Sequence, residues 1–314
     1  MKEPIVTSPD NLSPVDAPPG LPALAAALSA GLGQDLTAAA IHPLQDAAHK
    51  AEVADATLKY RVSLPGEAPG FLLVSGAGNP DMMGRAVRNI ALCRAQLSAA
   101  VAAPVLPPLT DGVVAGRHFA LWSARPDFLA GGRVLRVIRR RQYTGRICDW
   151  LVALAAETRK KANTETVSGD LGTIAGDAGL PDAIRGTAHQ ALDRLRAGTW
   201  VPEHCFQHGD FWSGNVLRPL RGEAVPFHVI DWAGLSAEGY PFIDMARMLM
   251  SLRSPARVAT RHVAALQEVM ACSREDSLAY VLAALGHTGQ RLEHFPPDRY
   301  RALVGQVCGF MKAL

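Results

Sequence analysis

The sequence predicts an α+β protein of two lobes, a small mixed β-sheet N-lobe followed by a larger, mainly helical C-lobe. Three observations point there. At 314 residues the chain exceeds the length at which a single hydrophobic core stops growing. Between residues 56 and 124 the apolar pattern reads strand, strand, helix, strand. From about residue 133 helical periodicity takes over, broken by a polar cluster at 208 to 244.

Residues 1–20 are rich in Pro, Asp and Ser, lack the apolar core of a secretion signal, and are expected to form a flexible tail. The Ala-rich run 21–33 contains Pro22 and is far short of a membrane span. The N-lobe is assigned to 21–121, with an antiparallel sheet and one helix. Its first strands are "ATLKYRVSL" (56–64) and "FLLVS" (71–75), joined through the turn "PGEAPG". Asn79 and Pro80 then open a helix whose Met83, Val87, Ile90 and Leu97 share one face. After the Pro-rich "APVLPPL", "GRHFALWSA" is another strand.

The C-lobe is assigned to 122–314. The basic run "RVLRVIRRRQYTGR" (133–146) is a solvated helix face or a contact for anionic groups. "RICDWLVALAAETRKKA" and "DAIRGTAHQALDRLRAG" are helices separated by a Gly-, Thr- and Asp-rich loop at 163–180. "HCFQHGDFWSGNVL" and "AVPFHVIDWAGL" supply short strands, and the chain from "FIDMARMLMSL" onward is mostly helical.

Composition narrows the function. Hydrophobic residues at 48% and charged residues at 19% furnish a packed core, unlike a disordered chain. A net charge of +3, with no basic stripe interleaved with aromatics, argues against a nucleic-acid partner. The five cysteines are far apart and form no CxxC pair, so they signal neither a zinc site nor a disulfide framework and fit a reducing cytoplasm. No membrane partner is expected. Oligomeric state cannot be read from the sequence.

The polar cluster carries the chemistry. Asp231 follows Val229 and Ile230 on what reads as a buried strand, and Asp244 lies among Phe242, Ile243 and Met245. An ionised carboxylate in an apolar interior costs several kcal/mol unless something compensates it. Magnesium is one such compensator, because it takes one or two protein carboxylates together with substrate phosphates.

"HGDFWSGNVL" (208–217) and "VIDWAGLSAEGYPFIDMARML", with the spacing between them, closely resemble the aminoglycoside phosphotransferase family, a branch of the protein-kinase-like fold. The resemblance covers roughly residues 200–252. It implies that Asp210 is the catalytic base, that His208 fixes the catalytic loop by hydrogen bonding, and that Asn215 and Asp231 are the magnesium ligands. It further implies that Asp244, in the G-x-P-x-x-D-x-A stretch from Gly239, is a buried brace. Arg247, one turn along, is placed to pair with a carboxylate there or to lie on the surface. Trp212, Trp232, Tyr240 and the other histidines are left as packing residues.

The N-lobe departs from this family. The position of the phosphate-binding Lys falls at Val74 or Ser75, no Asp or Glu occurs between Asp81 and Asp111, and the segment 42–57 has no glycine. Lys59 or Lys50 is left as the replacement cation for the nucleotide phosphates, with Arg85 or Arg88 a weaker substitute. Two hypotheses follow. One is a magnesium-dependent kinase that moves the terminal phosphoryl group of ATP or GTP to a hydroxyl of a small molecule. The other is a pseudokinase that kept the acid cluster and lost productive nucleotide capture. A metal-dependent phosphoesterase is less consistent with the absence of clustered His and Asp ligands. The last helices, about 255–314, lack an acidic rim, which points to a sugar or amino-alcohol acceptor and away from an aminoglycoside.

Overall fold

The structure is a computed structural model that describes residues 19–44, 57–66, 68–292 and 296–314. Lys50 lies outside them. The chain divides into two compact units. One runs to Ala95 and includes Leu106–Arg125; the other comprises Gln96–Val105 and Pro126–Leu314.

The first unit is built on five strands: β1 (Ile41–Pro43), β2 (Leu58–Val62), β3 (Gly70–Val74), β4 (Thr110–Val114) and β5 (Arg117–Ser123). Their order is β1-β2-β3-β5-β4, and every neighbouring pair is antiparallel. The β4–β5 hairpin turns at Ala115 and Gly116, both with positive φ, the backbone sense that matches the twist of the flanking strands. β4 escapes sequence reading because Asp111 and Gly112 dilute its apolar pattern. Helix α1 (Leu21–Leu32) is a second departure from the one expected helix. Pro22 is pre-set for a first helical turn, Gly33 closes the end in the left-handed region, and Leu24 and Leu28 are fully buried. They join Tyr60, Val62, Leu72, Val74 and Phe119 in one core. Burying each such side chain contributes about 1.5–3 kcal/mol.

Helix α2 (Met82–Gln96) starts two residues later than Asn79 and Pro80 suggest. Its first turn is closed by the Arg85 N–H on the Asp81 carbonyl, and the Ser75 hydroxyl accepts from the Met83 N–H at 2.9 Å.

The second unit is mostly helical: α3 (Ala99–Ala102), α4 (Arg133–Thr158), α5 (Thr164–Gly176), α6 (Asp182–Arg196), α7 (Ile243–Ser251), α8 (Ala256–Val269), α9 (Arg274–Gly289) and α10 (Pro297–Lys312). Five short strands accompany them: β6 (Lys160–Lys161), β7 (Glu203–Gln207), β8 (Val216–Leu217), β9 (His228–Val229) and β10 (Ser236–Gly239). They form the sheet β10-β7-β6 and the hairpin β8–β9, all antiparallel. Much of the expected loop at 163–180 is α5. Asn163 caps that helix by accepting from the Glu165 and Thr166 N–H groups, and Val167, Leu171 and Ile174 are fully buried. Its small residues admit close packing. A Cβ on Gly286 of α9 would lie 1.8 Å from the Asp170 carbonyl oxygen.

Candidate active site

The site grows out of β7. Its last residue, Gln207, accepts the Tyr240 N–H at 2.8 Å, which ties the strand end to the chain leaving β10. The chain then turns at Gly209, whose φ is +85°, and a Cβ there would meet the Gly234 carbonyl oxygen at 2.5 Å. Both the conformation and the space demand glycine.

His208, wholly buried, works as a brace. Its ring is within 5.4 Å of the Phe211 ring and 4.7 Å of the Trp232 ring, centroid to centroid. Nε2 lies 2.9 Å from the Ile230 carbonyl oxygen, and Nδ1 accepts from the Asp210 N–H at 3.4 Å. The carbonyl can only accept, so Nε2 carries the proton and Nδ1 the lone pair, the bonding of a neutral ring. Burial agrees: it pushes the His208 pKa down to about 4, against the raising effects of Ile230 and Asp210. One imidazole therefore ties Asp210 to the segment that leads into Asp231.

Helix α7 holds the loop from the other side. Asp244 accepts the N–H groups of His208 at 2.6 Å and Gly209 at 3.3 Å. Arg247 donates to the Gly209 carbonyl at 2.9 Å and to Asp210 Oδ1 at 2.5 Å. Ser251 accepts the Ser213 N–H at 3.0 Å. These residues recur at i, i+3 and i+7, so one helix stripe meets the loop at successive points. Desolvation pushes Asp244 up to about 6, offset in part by the His208 N–H, Arg247 and the Gly209 N–H. The motif pointed to Asp244; the pairing of Arg247 with Asp210 decides between its two sequence readings. Ser251 carries no motif signal, and only its spacing from Asp244 and Arg247 marks it.

Asp210 and Asn215 are brought together. Asn215, at the end of a 3-10 turn spanning Ser213–Asn215, donates Nδ2 to the Asp210 carbonyl at 2.8 Å and to Asp210 Oδ2 at 3.3 Å. The Asn215 carbonyl in turn accepts the Ile230 N–H at 3.1 Å, next to the Val216–Val229 pair of the β8–β9 hairpin. That hairpin carries Asn215 and Asp231 at the same end.

Asp231 differs from its sequence reading: it is exposed, and it follows β9 with φ 67 and ψ 56, in the left-handed region. This backbone reversal turns it out of the buried strand direction, while Trp232 takes the fully buried place. Trp212 also departs from its packing role, with 45% of its surface exposed. Trp232 and Tyr240 are buried as expected.

In the first unit, Val74 is fully buried in the core and Ser75 is occupied at the start of α2, so neither position offers a cation. Lys59 pairs with Leu73 across β2 and β3, on the strand face opposite Tyr60 and Val62. Arg88 pairs with Asp81 at the surface.

Among the described residues no group of three or more His, Cys, Asp or Glu side chains could hold a metal ion. An amide oxygen and one carboxylate, from Asn215 and Asp231, instead suit a hard cation that keeps most of its shell for waters and phosphates.

The sequence profile of the APH phosphotransferase enzyme family matches residues 94–275, more than half of the chain. This protein belongs to that family. As a phosphotransferase it has solved structural counterparts. A macrolide 2'-phosphotransferase from Brachybacterium faecium superposes with a TM-score of 0.54 at 17% identity, over 92% of this chain and 97% of that one. The GDP complex of an aminoglycoside 2'-phosphotransferase gives 0.52 at 12%, over 87% and 91%. Choline kinase from Streptococcus pneumoniae gives 0.50 at 11%, over 87% and 93%. The phosphotransferase thus has the two-lobed kinase-like fold. No curated protein sequence matches it. Among its described residues no helix is long and apolar enough to cross a membrane.

Proposed function

We propose that this phosphotransferase is a magnesium-dependent small-molecule kinase of the cytoplasm that moves the terminal phosphoryl group of ATP or GTP to an alcohol. The observation that carries the reading is the convergence of Asp210 and Asn215 through two hydrogen bonds, with Asp231 following the strand that Asn215 pairs against. The similar structures are named for a macrolide, an aminoglycoside and choline. Each is an alcohol, which supports a hydroxyl acceptor, and the GDP in one of them supports a nucleotide donor. The acceptor is a sugar or an amino alcohol.

In this reading Asp210 orients the acceptor hydroxyl. As the new oxygen–phosphorus bond forms and the bond to the departing nucleoside diphosphate breaks, the hydroxyl proton passes to Asp210. Asn215 and Asp231 hold the metal. Bound magnesium offsets the charge on the donor oxygens. His208 and Asp244 keep the loop in place and take no proton from the substrate. Lys59, on β2, is our proposed cation for the nucleotide phosphates.

Thermal unfolding with magnesium and nucleotide tests the proposal. Ligand at a hundredfold excess over its dissociation constant stabilises the folded state by about 2.7 kcal/mol. The wild type is expected to gain melting temperature with Mg·ATP or Mg·GTP, Asp231→Ala to lose that gain, and Lys59→Ala to need more nucleotide for it. If neither nucleotide shifts the wild type, the kinase reading fails.

A further inference from the structure

We propose that Arg247 is a positioning residue for phosphoryl transfer, which fixes Asp210 by Oδ1 so that Oδ2, on the Asn215 side, is the oxygen presented to the acceptor hydroxyl. The inference rests on the function proposed above and adds a residue and an orientation to it.

The geometry is specific. One guanidinium makes two contacts with adjoining residues of the loop, Nη1 to the Gly209 carbonyl at 2.9 Å and Nη2 to Asp210 Oδ1 at 2.5 Å. The fork is planar and rigid, so satisfying both contacts sets the carboxylate's direction relative to the backbone that carries it. Asp210 needs such a guide, because its side chain is 49% exposed. An exposed carboxylate held by nothing else would sample several rotamers and face the acceptor in only some of them. Asn215 also meets this carboxylate, its Nδ2 3.3 Å from Oδ2. Arg247 therefore engages one oxygen closely, and the second stays beside the proposed metal ligand, where an incoming hydroxyl can bond it.

The contact is separable from the fold. Asp244 and Ser251 hold the loop backbone at His208, Gly209 and Ser213 without Arg247. The Arg247 side chain is itself 25% exposed and its partner Asp210 49%, so this ion pair is not a core contact, while Asp244 keeps the His208 and Gly209 N–H groups when Arg247 is gone. Asp210 keeps its solvent access when the guanidinium is gone.

The test is single-turnover release of labelled phosphate from Mg·ATP and Mg·GTP, with water as acceptor. It is run on wild type, Arg247→Ala, Arg247→Lys, Asp210→Asn and the Arg247→Ala/Asp210→Asn pair. Arg247→Ala is expected to lower the rate constant about tenfold or more while the nucleotide concentration for half-saturation changes less than about twofold. Arg247→Lys keeps the charge without the fork and should recover part of the rate. In the Asp210→Asn background the loss of Arg247 should change the rate less than about twofold, because residues that act through one another are not additive. An equal loss in both backgrounds, or a loss confined to half-saturation, overturns the proposal. Should Arg247→Ala unfold, Arg247→Lys and Arg247→Gln carry the same comparison. A wild type that Mg·nucleotide does not stabilise overturns the function itself, whereas additive losses in a nucleotide-binding enzyme overturn only the role of Arg247.

Discussion

His208 and Asp244 are adjacent through one hydrogen bond, yet burial drives their proton affinities in opposite directions. His208 has a folded value of about 4 against an ordinary 6.5, so between these the unfolded chain binds more protons. Its contribution to stability is complete above pH 6.5 and is lost as pH falls towards 4. Asp244 has a folded value of about 6 against 3.8, so there the folded chain binds more protons. Stability from Asp244 is greatest at low pH and declines as pH rises through that window. Between about pH 4 and 6 the two slopes offset. Asp244→Asn removes one of them and exposes the other, whose limit is about 1.4 kcal/mol per pH unit. Urea unfolding between pH 4.5 and 6 is expected to show the variant losing stability on acidification more steeply than wild type. Parallel slopes would mean that one of these side chains is not buried as described.

At the scale of elements, the local order of the chain explains what could be read from sequence. Strand β2 announces itself by alternation and β3 and β5 by short apolar runs, each bounded by Gly or Pro. The loop at 208–215 is legible because its His, Asp and Asn stand at fixed separations. Helix α5 was hidden. Its Gly, Thr and Ser have weak helical preference, and packing against α9 and α6 stabilises it through its buried Val167, Leu171 and Ile174. Asp231 misled for a related reason: the apolar run before it continues in sequence, while a left-handed residue ends the strand in space. The α5–α9 contact gives a direct prediction. Gly286→Ala places a methyl where only 1.8 Å separates its Cβ from the Asp170 carbonyl oxygen, so the helices must part. A loss of about 1–3 kcal/mol in urea unfolding is expected. An unchanged midpoint would contradict the close approach of these helices.

For the whole molecule, the sequence lacks the first-lobe lysine and helix acid at the positions the family resemblance implies, while the second unit carries His208, Asp210, Asn215, Asp231 and Asp244. The lysine position falls at Val74 or Ser75: Val74 is buried in the core, and the Ser75 hydroxyl serves the first turn of α2. Under the proposed function, charge stabilisation at the donor falls to other groups, among them Lys59. The acceptor side is likewise tempered, because Arg247 balances the charge of Asp210. Under the proposed function, that balance would favour a neutral or singly charged alcohol over a polycation.

The proposed role of Asp210 as acceptor of the attacking hydroxyl's proton is tested most directly by phosphate transfer from Mg·ATP or Mg·GTP by Asp210→Asn. General-base catalysis of this kind contributes about 10²–10⁴-fold. The variant is expected to keep the nucleotide-dependent gain in melting temperature and to lose turnover by at least about a hundredfold. Turnover equal to wild type, with nucleotide still bound, would contradict it.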